Sequence, residues 1–130
     1  MKRKVLLVED NPQNRYLITF LLEKSGYEVV VAEDGEAAVE AVPEHRPDII
    51  LMDVQLPKID GYEATRRIKA DERFSSIPVL ALTAHSMKGD RVKALQAGCD
   101  DYITKPVDID VLLRRIQEVL EGSSSDPLPS

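Results

Sequence analysis

Short apolar, β-branched runs alternate along the chain with longer stretches of helical period. Lys4–Val8 (KVLLV) predicts a buried strand, because it is brief and apolar and is followed by polar Glu9-Asp10-Asn11. Asn11-Pro12 predicts a helix start, with Asn as N-cap and Pro at the first helical position. That helix is expected to run to about Ser25, where Gly26 stops it. Glu28–Ala32 (EVVVA) predicts a second strand. Asp34-Gly35 opens an alanine-rich helix expected to end before Pro43. Arg46-Pro47-Asp48 is a turn, and Ile49–Met52 a third strand. Leu56–Gly61 (LPKIDG) is a loop by composition, with a helix following from about Tyr62 to Ala70. Val79–Leu82 is a fourth strand, entered through Pro78. A helix over Lys88–Ala97, capped by Gly98, leads to a short fifth strand, Tyr102–Thr104. The last helix, from about Asp108 to Glu121, carries the clearest stripe: Ile109, Leu112, Leu113, Ile116, Val119 and Leu120 fall on one face. Gly122 is expected to end it.

Five strand-then-helix units in series imply an α/β fold, a doubly wound parallel sheet with helices on both faces and right-handed crossovers. Glu28–Ala32 is expected at an edge. The expected order is 2-1-3-4-5, although periodicity alone does not separate it from other doubly wound orders. One domain over residues 1–122 is expected, with 123–130, rich in Ser and Pro, as a disordered tail.

Composition narrows the function. The chain has 130 residues, of which 43% are apolar, enough for a packed core. No apolar run approaches the roughly 20 residues of a membrane helix, and the apolar stretch near Met1 is too short for a signal peptide. One cysteine, Cys99, excludes an internal disulfide framework and suits a reducing cytosol. Lys and Arg number 17 against 23 Asp and Glu, a net charge of −6, so direct nucleic-acid binding is not expected.

In doubly wound sheets, ligands bind beyond the carboxyl ends of the strands. The strand ends here carry Glu9-Asp10, Asp53, Thr83-Ala84 and Lys105-Pro106. Three carboxylates, a hydroxyl and an ammonium are therefore expected to converge. Carboxylates ~5 Å apart repel by roughly 3 kcal/mol per pair at an effective dielectric near 20. A cluster of this kind needs a raised pKa, a cationic side chain or a metal. An open all-oxygen site suits Mg²⁺, and no His or Cys pair is placed to make a zinc site. A metal, an ammonium and a hydroxyl around a carboxylate are the parts that phosphoryl transfer uses. A carboxylate can be the nucleophile, and Asp53, on a central strand, is the best candidate. Thr83 and Lys105 would contact the phosphoryl oxygens, and small Ala84 would leave room for the incoming group.

Four separated motifs carry a resemblance: VLLVEDNPQNR (Val5–Arg15), ILMDVQLPKIDGYE (Ile50–Glu63), VLALTAHS (Val79–Ser86) and GCDDYITKP (Gly98–Pro106). In type, order and spacing they resemble the receiver domain of two-component response regulators, with a flavodoxin-like (βα)5 fold. The likeness is greatest to single-domain receivers of the DivK type and to receivers of hybrid histidine kinases. The resemblance implies Asp53 as phospho-acceptor. It implies Asp10 and Asp53 as direct Mg²⁺ ligands, Glu9 acting largely through water, and Gln55 through its backbone carbonyl. It further implies Thr83, Ala84 and Lys105 at the phosphoryl group, a cis Lys105-Pro106 peptide, and Tyr102 as an aromatic switch acting with Thr83. Gln55 and His85 stand where the family modulates phosphoryl lifetime. Ile59 stands where many members carry Met.

The implied donor is a histidine kinase or histidine phosphotransfer protein, and the output a protein–protein contact or onward phosphotransfer through helix four, strand five and helix five. No DNA-binding output domain, no membrane contact and no turnover enzyme are expected beyond self-catalysed phosphorylation and dephosphorylation. The molecule is expected in the cytoplasm, as a monomer or a phosphorylation-dependent dimer. Taken singly, the site residues have blander readings. Asp10 would be a solvated acid, Lys105 a surface lysine and Tyr102 a half-buried core residue. Asp60 reads as a helix cap, Asp100-Asp101 as a charged turn far from the site, and Arg66–Lys69 as a solvated helix face. Two other functions stay open: a Mg²⁺-dependent hydrolase, which usually has an acid where Gln55 stands, and a flavin module, whose phosphate loop Glu9-Asp10 would repel.

Overall fold

The structure is a computed structural model and describes residues 2–56, 58–84 and 88–125. Its elements in chain order are β1 (Lys4–Val8), α1 (Pro12–Lys24), β2 (Glu28–Ala32), α2 (Gly35–His45) and β3 (Ile49–Asp53). They continue with α3 (Gly61–Ala70), β4 (Val79–Thr83), α4 (Lys88–Ala97), β5 (Asp101–Thr104) and α5 (Ile109–Ser125). All strand pairs are parallel, in the order β2-β1-β3-β4-β5. The sheet is therefore the expected doubly wound one, with β2 at an edge.

Alternation along the strands sorts the core into two layers, as period-2 geometry requires. Leu6, Val8, Ile50, Met52 and Ala81 face one side and pack with Ala38, Val42, Ala64 and Ile68 of α2 and α3. Val5, Leu7, Ile49, Leu51, Leu80 and Leu82 face the other side and pack with residues of α1 and α5, including Leu22, Leu112 and Ile116. Burial on both faces explains why β1, β3 and β4 read as unbroken apolar runs.

The helix starts follow the local chemistry. Asn11 Oδ1 accepts from the Gln13 and Asn14 N–H groups at 2.9 and 3.1 Å, and Pro12 opens α1. Asp34 and Asp60 cap α2 and α3 through the N–H groups of Ala37 and Glu63.

Three expectations are corrected. Helix α2 runs through Pro43 to His45. A proline in the last turn removes a single backbone hydrogen bond, and the Arg46 N–H still closes on the Val42 carbonyl at 2.8 Å. Helix α5 continues past Gly122 to Ser125, because glycine lowers helix propensity without forbidding the helix. Lys69 is not a solvated residue of α3: its ammonium donates to the carbonyls of Ser75 and Ile77 and to Asp100.

Candidate functional site

Register places the strand-end side chains. Val8 pairs with Met52, so Glu9 and Asp53 follow side by side on β1 and β3. Asp53 pairs with Leu82, which puts Thr83 one step further along β4 and opposite Thr104 of β5. The Glu9 N–H continues the ladder to the Ala32 carbonyl at 3.1 Å. Residues Ile49–Asp53 are all buried, so Asp53 stands on a rigid central strand.

Glu9, Asp10 and Asp53 each bring one carboxylate oxygen within 4.8 Å of the others. Glu9 and Asp53 are buried, and Asp10 is exposed at the rim. Asp53 Oδ1 accepts the Gln55 N–H at 2.9 Å, and Asp53 Oδ2 accepts the Lys105 ammonium at 2.7 Å. The same ammonium lies 3.5 Å from Glu9 Oε1. Thr83 is buried beside them. Ala84, exposed, and Lys105 line a hollow of about 480 Å³ that Leu17 and Ile18 of α1 also border. The Lys105-Pro106 peptide is cis, as the resemblance implies.

The charges are unbalanced. Burial pushes the Glu9 carboxyl above its ordinary range; the Asn11 N–H offsets part of that, and the neighbouring Asp53 charge adds to it. Burial opposes the charge on Lys105, but the bond to Asp53 and the charges of Asp53 and Glu9 prevail and raise its pKa. The one ammonium thus pairs with two of the three acids, Glu9 and Asp53. Glu9 Oε1 is buried and has no hydrogen-bond donor among the described residues. A buried carboxylate oxygen met only by an ion pair at 3.5 Å, beside two further carboxylate oxygens, is what a hard cation such as Mg²⁺ would satisfy.

Every sequence-predicted site residue within the described chain lies at this sheet edge or on β5 beside it. Tyr102 is half-buried on β5. Asp100 and Asp101 lie at the opposite end, tied to Val79 and Arg115. Cys99 is buried, its thiol pKa pushed up to about 11 by desolvation. His85 and residues 126–130 lie outside the described residues.

Comparison with known proteins decides the family. The response regulator receiver domain model matches residues 5–117. The chain belongs to that family. It is 43% identical over 120 residues to the polar-differentiation response regulator DivK of Brucella anthropi, covering 92% of this chain and 98% of DivK. The receiver domain of sensor histidine kinase PA1611 from Pseudomonas aeruginosa superposes with a TM-score of 0.86 at 44% identity, covering 92% of this receiver and 98% of that one. That structure holds a magnesium ion in its active-site cleft. The receiver domain of Saccharomyces cerevisiae Ssk1, crystallised with the histidine phosphotransfer protein Ypd1, gives a TM-score of 0.89 at 33% identity, covering 98% of this chain and 95% of that one. This chain is accordingly a receiver of two-component signalling, a class of phosphoacceptors rather than turnover enzymes.

Sequence reasoning missed one residue at this edge. Arg15 of α1 donates to the main chain of both acids that follow β1. Only its place one helical turn after the Asn11 cap could have signalled it.

Proposed function

We propose that Asp53 accepts a phosphoryl group from a phosphohistidine of a histidine kinase or phosphotransfer protein, and that the modified receiver signals by protein contact in the cytoplasm. The observation that carries this reading is the convergence of Glu9, Asp10 and Asp53 within 4.8 Å, with Asp53 already bonded to a half-buried lysine. Glu9, Asp10, Asp53 and the Gln55 carbonyl would hold Mg²⁺, which neutralises charge on the acids and on the phosphoryl oxygens. A carboxylate oxygen of Asp53 forms the new O–P bond. The P–N bond breaks, and its electron pair stays with the imidazole. Lys105 leaves its bond to Asp53 to meet a phosphoryl oxygen, Thr83 meets another, and Ala84 leaves the entry open. The magnesium-bound PA1611 receiver supports the cation, and the Ypd1–Ssk1 pair supports the class of donor.

The donor approaches over α1. Leu17 borders the hollow that leads to Lys105, and Tyr16, Leu17 and Phe20 stay exposed beside it. Output lies on the other side of the site. Thr83 moves toward the phosphoryl oxygens, Tyr102 turns inward into the vacated space, and the surface of α4, β5 and α5 changes, where Val92 and Leu95 are exposed. This is a shift between two populations biased by the new charge. The chain catalyses only its own phosphorylation and dephosphorylation.

Incubation with acetyl phosphate and Mg²⁺ followed by intact mass tests this. One added phosphoryl group is expected, labile to hydroxylamine and absent in Asp53→Asn or without divalent metal. An unmodified protein under these conditions would overturn the reading, and steady turnover of a phosphomonoester would favour a hydrolase.

A further inference from the structure

Arg15 is the last residue of the motif that opens the chain, and none of the chemistry proposed above uses it. Its guanidinium Nη1 donates to the Glu9 carbonyl at 3.0 Å and reaches the Asp10 carbonyl at 3.5 Å. The side chain is half-buried, one turn into α1, and its own N–H closes the first turn on the Asn11 carbonyl at 2.9 Å. The three-residue link between β1 and α1 is otherwise held at its edges. The Glu9 N–H goes to Ala32, the Asn11 N–H goes to Glu9 Oε2 at 3.2 Å, and the Asn11 side chain caps the helix. Among the described residues, the Arg15 guanidinium is the group that grips the two carbonyls between those anchors.

That link has to hold two acids against mutual repulsion and against Asp53. Lys105 compensates the charge by occupying Asp53 Oδ2 and approaching Glu9 Oε1, oxygens that a cation needs. Arg15 acts differently. It bonds the carbonyls and takes up none of the carboxylate oxygens itself. Both contacts come from Nη1, whose place in a planar guanidinium fixes the directions of its N–H bonds, whereas a lysine ammonium is a point charge on a flexible stem.

We propose that Arg15 is a positioning residue for the divalent-cation site, acting through the main chain of Glu9 and Asp10. The proposal rests on the metal reading given above. It makes a prediction opposite in sign to charge alone: removing a cation close to an acidic site should strengthen Mg²⁺ binding, whereas removing this brace weakens it.

The test is calorimetric titration of the unphosphorylated protein with Mg²⁺, for wild type and for Arg15→Ala, Arg15→Gln and Arg15→Lys, with folding checked by circular dichroism. Arg15→Ala and Arg15→Gln are expected to bind Mg²⁺ roughly tenfold more weakly, as loss of an outer partner of a metal ligand does. Arg15→Lys recovers part of the loss. Phosphorylation of Arg15→Gln by acetyl phosphate returns close to the wild-type rate once Mg²⁺ is saturating. Unchanged or tighter Mg²⁺ binding in folded Arg15→Ala or Arg15→Gln overturns the proposal while leaving Asp53 chemistry intact. Should Arg15→Ala not fold, Arg15→Gln carries the same two outcomes. A wild type that takes no Mg²⁺ overturns the metal reading itself, and this proposal with it.

Discussion

The Lys105 ammonium sits 2.7 Å from Asp53 Oδ2, a bond spanning 52 positions of sequence and joining the end of β5 to the central strand. It holds in place the acid proposed to react and must be surrendered when that acid is modified. Lys105→Met should slow phosphorylation by acetyl phosphate about a hundredfold, the usual cost of removing one aimed donor. The same variant should bind Mg²⁺ more tightly, because the competing cation is gone. Stopped-flow rates and calorimetry read the two effects. An unaltered rate would reduce Lys105 to a structural salt bridge.

Glu9 supplies a pH signature. Its carboxyl titrates above the ordinary 4.5 in the folded, metal-free protein, chiefly through burial. The folded state thus holds this proton more tightly than the unfolded chain does. The resulting contribution to stability is full below pH 4.5 and is lost as pH rises through the raised value. Glu9→Gln should remove that loss and stabilise the metal-free protein at pH 7 by on the order of 1 kcal/mol. Added Mg²⁺ should then raise the urea midpoint of wild type more than that of the variant. An equal rise in the two proteins would count against Glu9 as part of its site.

Gly61 and Gly26 are expected to respond differently to alanine. A Cβ at Gly61 would lie 2.2 Å from the Asp53 carbonyl oxygen and 2.7 Å from the Val54 Cα, both backbone atoms that cannot yield cheaply. Gly61→Ala should cost about 2–3 kcal/mol through overpacking and also slow Asp53 phosphorylation. Gly26 has open space around it but a φ of +97°, so Gly26→Ala should cost about 1–2 kcal/mol with phosphorylation unchanged. Chemical denaturation and phosphorylation rates separate the two mechanisms.

Cys99 should resist thiol reagents. The thiol is buried, contacts the Thr65 hydroxyl at 3.9 Å and has a pKa raised from 9.0 to about 11. An aromatic disulfide reagent at pH 8 should label it slowly in the native state and rapidly in denaturant. The same shift makes stability fall as pH rises between 9 and 11, because the unfolded thiol ionises first. Rapid native labelling would mean that the Cys99 site opens readily.

The alternation of β-branched runs with helical period dictated five strand–helix units and their polarity, because local periodicity is a property of neighbours in sequence. It also marked Glu9, Asp10, Asp53, Thr83 and Lys105, since each follows an apolar run and a parallel sheet gathers such ends at one edge. The helix ends at Pro43 and Gly122 were misjudged for a related reason. A breaker residue sets a local cost, and the packed helix around it decides whether that cost is met.

What the tertiary structure alone decided were contacts that local periodicity does not fix. The fate of Lys69, pinned to Asp100 and two carbonyls, depends on where the loop before β4 passes. The grip of Arg15 on the Glu9 and Asp10 carbonyls depends on the angle at which α1 leaves β1. Residue type and spacing determined which groups could meet. Distances, burial and the buried Glu9 oxygen that makes no hydrogen bond among the described residues came from packing, because only the assembled sheet fixes how near those groups lie and how much water is excluded from them.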